Sequence, residues 1–66
     1  MKNSILIESN PNDNCLTVLF LDKQGGTVRR AQFWNFIKYG EMLARVSGDW
    51  INNGILPREE NGLNFF

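Results

Sequence analysis

Residues 33–53 carry two apolar stripes with the repeat of an α-helix, and this pattern constrains the fold more than any other feature. At about 100° per residue, large side chains fall on one stripe at spacings of three and four. They are Phe36, Tyr39, Leu43, Val46 and Trp50. The second stripe, small in its middle, consists of Phe33, Ile37, Gly40, Ala44, Ser47, Gly48 and Ile51. The pattern predicts one long helix, which begins near Gln32 or at an Asn35 N-cap and ends at Gly54.

The small stripe has two interpretations. Glycine inside a helix costs about 1 kcal/mol relative to alanine, so Gly40 and Gly48 require a packing explanation. In the first interpretation, Gly40, Ala44 and Gly48 let the helix lie close on the chain's own sheet. In the second, the same three residues let a second copy or another protein approach, as small residues do between membrane helices. The second interpretation makes Gly40, Ala44 and Gly48 candidate self-association residues.

Three strand candidates precede the helix, at residues 4–8, 15–21 and 27–32. Residues 10–14 are rich in turn formers, and Gly25 and Gly26 allow a turn between the second and third candidates. The nearly unbroken apolar run 15–21 predicts a central strand covered on both faces. The predicted fold is therefore an α+β domain, an antiparallel sheet of three strands or four with one long helix across a face.

The C-terminal tail, residues 57–66, either docks as a short strand or stays exposed. We expect the aromatic pair Phe65 and Phe66 to finish the core, because a domain of 66 residues has few large apolar side chains to bury. A chain of this length buries only about 60% of its unfolded surface, so a partner or a second copy is expected to add stability.

Cysteine content and the N-terminus indicate the compartment. Cys15 is the single cysteine, which rules out an intrachain disulfide, and its apolar setting predicts a buried side chain rather than a reactive thiol. The N-terminal residues do not resemble a signal peptide, and no apolar run approaches the roughly 18 residues of a membrane span. These features predict a cytoplasmic protein with no membrane contact.

Catalysis is not expected from this composition. The chain has no histidine, which removes the commonest general base, the usual nucleophile arrangements and most zinc sites. No phosphate-binding glycine loop or metal-binding carboxylate loop is present in the sequence. We predict that the protein is not an enzyme and uses no cofactor or metal.

Charge is unevenly distributed although its sum is zero. Residues 23–45 hold most of the cations, namely Lys23, Arg29, Arg30, Lys38 and Arg45, against Glu41. One interpretation is a nucleic-acid footprint in which Arg29, Arg30, Lys38 and Arg45 contact phosphates. The other is a compensated surface, since Glu41 and Asp49 lie at helical pairing distance from Arg45. The sequence pI of about 6.1 favours the second, because nucleic-acid domains are usually strongly basic.

The leading functional hypothesis is a non-enzymatic protein-binding module that modulates a larger partner by occupying its surface. In size and character the chain is similar to small accessory proteins of phages and plasmids, such as inhibitors and antitoxins. If the helix includes Trp34, that indole joins Lys38 and Arg45 on a polar arc where a partner reaches it. The predicted partner-binding residues are Trp34, Lys38, Arg45, Arg29 and Arg30. Self-association through the helix or a sheet edge is expected as well.

Overall fold

The computed structural model describes residues 2–9 and 15–66, which form an antiparallel four-stranded sheet and one helix. The elements follow the order β1 (Ser4–Ser9), β2 (Leu16–Leu21), β3 (Thr27–Phe33), α1 (Gly40–Asn53) and β4 (Leu63–Phe65). The strands lie in the sheet in chain order. The predicted α+β class is confirmed, and the tail docks as the fourth strand. The predicted loop at residues 10–14 lies outside the described residues.

The central strand β2 has one covered face and one more open face. Leu16, Val18 and Phe20 are buried, while the residues between them are half-buried. The prediction that this run is covered on both faces is therefore wrong. The helix packs over one face, and the alternating residues Leu19 and Leu21 point to the other, which we call the open face.

The helix is shorter than its sequence pattern predicts, because residues 33–39 belong to other structures. Phe33 ends β3, where it is fully buried and pairs with Leu16 and Leu63. Asn35 then takes a left-handed backbone with φ of 57°, and residues 36–39 form a turn before α1 begins at Gly40. The tertiary pairing of Phe33 thus overrides the helical period.

The predicted end of the helix is confirmed. Gly54 adopts φ of 67°, and its N–H donates to the carbonyl of Trp50 at 3.0 Å. The Ile55 N–H donates to the carbonyl of Asp49 at 3.2 Å. A left-handed glycine of this kind satisfies carbonyls that the helix itself leaves without partners.

Trp50 attaches the last turn of α1 to the sheet. Its indole N–H lies 3.0 Å from both the Ser4 and the Leu21 carbonyl oxygens, and its ring meets Phe20 edge-on at a centroid distance of 6.1 Å. Asn3 adds a side-chain bond to the Trp50 carbonyl at 3.3 Å. Trp50 therefore joins the apolar core to the ends of two strands, which helps explain why a 14-residue helix stays on this sheet.

The small residues of the second stripe do not pack on the sheet. Gly40 and Ala44 are exposed, and no described atom lies within 4 Å of a Cβ placed on Gly40. A Cβ on Gly48 meets only the side chain of Asn52, in its own helix, at 3.9 Å among the described residues. The interpretation in which these residues let the helix approach its own strands is wrong. The large stripe supplies the buried helix residues, Val46 and Trp50.

A candidate protein-binding surface

The connection between β3 and α1, residues 34–39, presents large apolar side chains on a well-bonded backbone. The Trp34 N–H donates to the Gly62 carbonyl at 2.8 Å. The Asn35 carbonyl accepts the N–H groups of Lys38 and Tyr39 at 3.0 and 3.1 Å. These bonds tie the connection to the turn before β4 and close it on itself.

Two apolar side chains of this connection reach solvent. Trp34 is 46% exposed and Ile37 is 72% exposed, and Lys38 is exposed between Ile37 and Tyr39. Tryptophan is enriched among the residues that dominate binding energy at protein interfaces, and loops on a rigid scaffold are common places for binding residues. The connection therefore offers a preorganised apolar contact of modest size.

The helical arc predicted for Trp34, Lys38 and Arg45 is wrong in its geometry, because Trp34 and Lys38 precede the helix. The Lys38 ammonium lies 5.4 Å from the centroid of the Tyr39 ring. Arg45 is on α1, and its guanidinium donates to Glu60 at 2.8 Å. Among the described residues, Arg45 pairs with Glu60 rather than with Glu41 or Asp49, the carboxylates expected from helical spacing.

Asn35 holds the shape of the connection at a backbone position that disfavours most residues. Its side-chain oxygen accepts the Lys38 N–H at 3.3 Å, and asparagine tolerates positive φ better than other residues with a side chain. We expect Asn35→Ala to lower the free energy of unfolding by about 1–2 kcal/mol. Asn35→Gly, which keeps the backbone freedom, is expected to lower the free energy of unfolding by only about 0.3 kcal/mol. Urea unfolding measures both, and equal losses would contradict this role.

The two arginines of β3 each lie over an aromatic ring of the C-terminus. The Arg29 guanidinium is 4.2 Å from the centroid of Phe65, and that of Arg30 is 5.1 Å from Phe66. Because neighbouring strand residues point to opposite faces, the pairs lie on different sides of the sheet. Phe65 packs against the core, but Phe66 is 63% exposed, so the expectation that both rings finish the core is wrong for Phe66.

The two edges of the sheet differ in protection. The β4 edge has three residues, and the Phe65 N–H donates to the Glu59 carboxylate at 2.9 Å. On β1, the other edge, Leu6 and Ile7 are 49% and 43% exposed. The sequence does not predict the exposure of Leu6 and Ile7, since a short apolar run looks the same in an edge strand as in a central strand.

A shallow cavity of about 420 Å³ lies at the C-terminal end of α1. Lys2 and Lys23 line it beside the last residues of the helix, where the helix dipole favours positive charge. Within residues 2–9 and 15–66, no three acidic or cysteine side chains converge as a metal site would require. Cys15 is buried, as predicted.

None of the helices in the described part of the chain has the length and apolar character needed to cross a membrane. Comparisons of this chain with protein-family models, with curated proteins and with solved structures find no match, so no function is carried over from a relative to these residues.

Proposed function

We propose that the protein is a non-enzymatic module that binds a larger protein and modulates it by covering part of its surface. The observation that carries this proposal is the pair of exposed apolar side chains, Trp34 at 46% and Ile37 at 72%, on a connection closed by backbone hydrogen bonds. A preorganised contact loses little conformational entropy on binding. An inhibitor, an antitoxin-like protein or an adaptor in the cytoplasm would act in this way.

Trp34 is the proposed anchor, and Lys38 supplies a neighbouring cation. Arg29, Arg30 and Arg45 are proposed as peripheral contacts, since all three are exposed and a rim charge affects association rate and partner choice more than affinity. The partner's matching surface would combine an apolar pocket for the indole with acidic groups near Lys38. Self-association belongs to the same proposal, and the exposed stripe Gly40, Ala44 and Gly48 is one candidate surface for it.

Nucleic-acid binding gains no specific support from the geometry. Arg29 and Arg30 lie over rings on different sides of the sheet, and Arg45 is paired with Glu60. A phosphate-binding surface needs several cations on one side. Nucleic acid captured in place of a protein would favour this alternative in the binding experiment.

The test is capture of the partner by tagged chains in the cells that produce the protein, after nuclease treatment and at moderate salt. Wild type, Trp34→Ala and Phe66→Ala are compared, because Phe66 is an exposed aromatic residue outside the connection. We expect a stoichiometric protein with wild type and with Phe66→Ala, and about 30-fold weaker binding with Trp34→Ala, the effect of losing an anchor worth about 2 kcal/mol. Equal capture by all three chains would overturn the assignment of Trp34.

A further inference from the structure

The outer edge of β1 has the features of a strand that pairs with another strand. Its sequence, Ser4–Ser9, contains neither lysine nor proline, and among the described residues no strand pairs with its outer side. Leu6 and Ile7 are close to half exposed. Natural edge strands are usually short, charged, bulged or covered, because unpaired backbone groups template association.

The opposite edge supplies an internal comparison. There β4 has three residues, and the Glu59 carboxylate accepts the N–H of Phe65. A foreign strand would have to displace this charged acceptor to pair with β4. One edge is thus protected by a charged hydrogen-bond acceptor, while the longer and more apolar β1 edge has Glu8 as its one charged residue.

We infer that β1 pairs antiparallel with β1 of a second copy, about a two-fold axis, and joins the two four-stranded sheets into one. This inference rests on the proposed function, of which self-association is part. The register places Leu6 opposite Leu6 of the second copy on the open face. On the helix face it places Ile5 opposite Ile7 of the second copy, twice by symmetry. Directly opposed apolar side chains are the pairs that stabilise antiparallel sheets.

Other registers match the strand less well. A shift of one residue sets each side chain opposite one that points to the other face. A shift by two in one direction sets Leu6 opposite Glu8 of the second copy, and in the other direction sets Leu6 opposite Ser4. The three apolar residues of β1 therefore find apolar partners together in the proposed register alone.

Charge also favours a second copy of the chain as the partner at the β1 edge. In the proposed register Glu8 lies opposite Ser4 of the second copy, beside the N-terminal segment that carries Lys2. Within one chain, Lys2 and Glu8 lie about 20 Å apart at the rise of an extended strand, which is beyond the screening length of about 8 Å at physiological salt. The two charges are therefore complementary between copies but not within a copy.

Sedimentation velocity over a concentration series up to about 500 μM tests the inference, because a six-residue strand makes a small interface with an expected micromolar Kd. Wild type is expected to approach twice the 7.6 kDa chain mass. Leu6→Lys, which opposes two like charges at the axis, is expected to remain monomeric. Val28→Lys is the matched control, since Val28 is 45% exposed but lies on the interior strand β3, and it is expected to dimerise like wild type.

Ala44→Leu separates the β1 edge from the helix stripe. A dimer with this variant and a monomer with Leu6→Lys support pairing through β1. A monomer with Ala44→Leu, together with a dimer of Leu6→Lys, overturns the inference and assigns the interface to the helix stripe. A monomeric wild type also overturns it, whereas the proposed binding of a larger protein depends on Trp34 and is judged separately by capture.

A charge exchange tests the register even if Leu6→Lys fails to fold. Lys2→Glu and Glu8→Lys are each expected to raise the dimer Kd about tenfold, because each sets two pairs of like charges at diagonal positions by symmetry. The double variant is expected to return the Kd to within about threefold of wild type. Single variants without effect, or a double variant as weak as the singles, would overturn the antiparallel register.

Discussion

Replacing Trp50 by alanine is expected to leave the chain largely unfolded. The substitution removes an indole that is 6% exposed, its contact with Phe20, and the donor shared by the Ser4 and Leu21 carbonyls. Truncating a buried tryptophan to alanine typically costs about 3–5 kcal/mol, which is as much as a core in a domain of this size usually supplies. Far-UV circular dichroism and urea unfolding measure the loss.

Trp34→Ala is the matched control for this substitution. The same change is made there at a side chain that is 46% exposed and that precedes the helix, so we expect a loss within about 1 kcal/mol. A stable Trp50→Ala protein would show that α1 does not depend on this attachment to the sheet. Equal destabilisation by both substitutions would contradict the burial difference between the two tryptophans.

Replacing Gly62 by alanine is expected to lower the free energy of unfolding by about 3 kcal/mol. Gly62 has φ of 94°, and a Cβ there would lie 2.5 Å from the Tyr39 ring. The positive φ alone costs roughly 1–2 kcal/mol for a residue with a side chain, and forcing the ring away adds roughly 1–3 kcal/mol. Urea unfolding measures the total.

Gly25→Ala isolates the backbone part of that cost. Gly25 has φ of 87°, and no described atom lies within 4 Å of a Cβ placed on it, so we expect a loss of about 1 kcal/mol. Adding Tyr39→Ala to Gly62→Ala tests the ring contact. We expect the double variant to lose less stability than the sum of the two single losses, because Tyr39→Ala removes the ring that the new Cβ would meet. Equal losses for Gly62→Ala and Gly25→Ala would mean that the Tyr39 ring moves aside at no cost.

The strands and the end of the helix could be predicted because their signals are local. Apolar runs and the turn residues between them predict β1, β2 and β3 to within one residue of their bounds. Gly54 ends the helix through a backbone conformation that depends on the glycine itself. The sequence could not decide whether the tail docks as β4 or stays exposed, since docking depends on the pairing of Phe33 with Leu63 across the fold.

The start of the helix could not be predicted from periodicity. Phe33 has helical spacing to Ile37 and Gly40, but it is held in β3 by its pairing with Leu16 and Leu63. Asn35 then turns the chain away. The pattern therefore predicts Trp34 and Lys38 on the helix, whereas both residues precede it. Trp34 is exposed, as the predicted arc requires, but on a turn rather than on the helix.

The candidate binding surfaces were the hardest part to predict, because they depend on tertiary structure. Small residues at Gly40, Ala44 and Gly48 suggest close packing somewhere, but sequence cannot say against what. The exposure of Leu6 and Ile7 follows from the position of β1 at the edge of the sheet, which no local pattern encodes. The Arg45–Glu60 bridge joins residues 15 positions apart and is likewise invisible to helical spacing.

The salt dependence of the captured complex tests the central claim, binding to a protein through an apolar anchor, most directly. The account predicts that affinity changes by less than about threefold between about 50 and about 500 mM NaCl, because apolar contacts are not weakened by salt. A fall of about a thousandfold or more across that range, with nucleic acid in the untreated complex, would contradict it. That slope would mean that several phosphates are neutralised on binding.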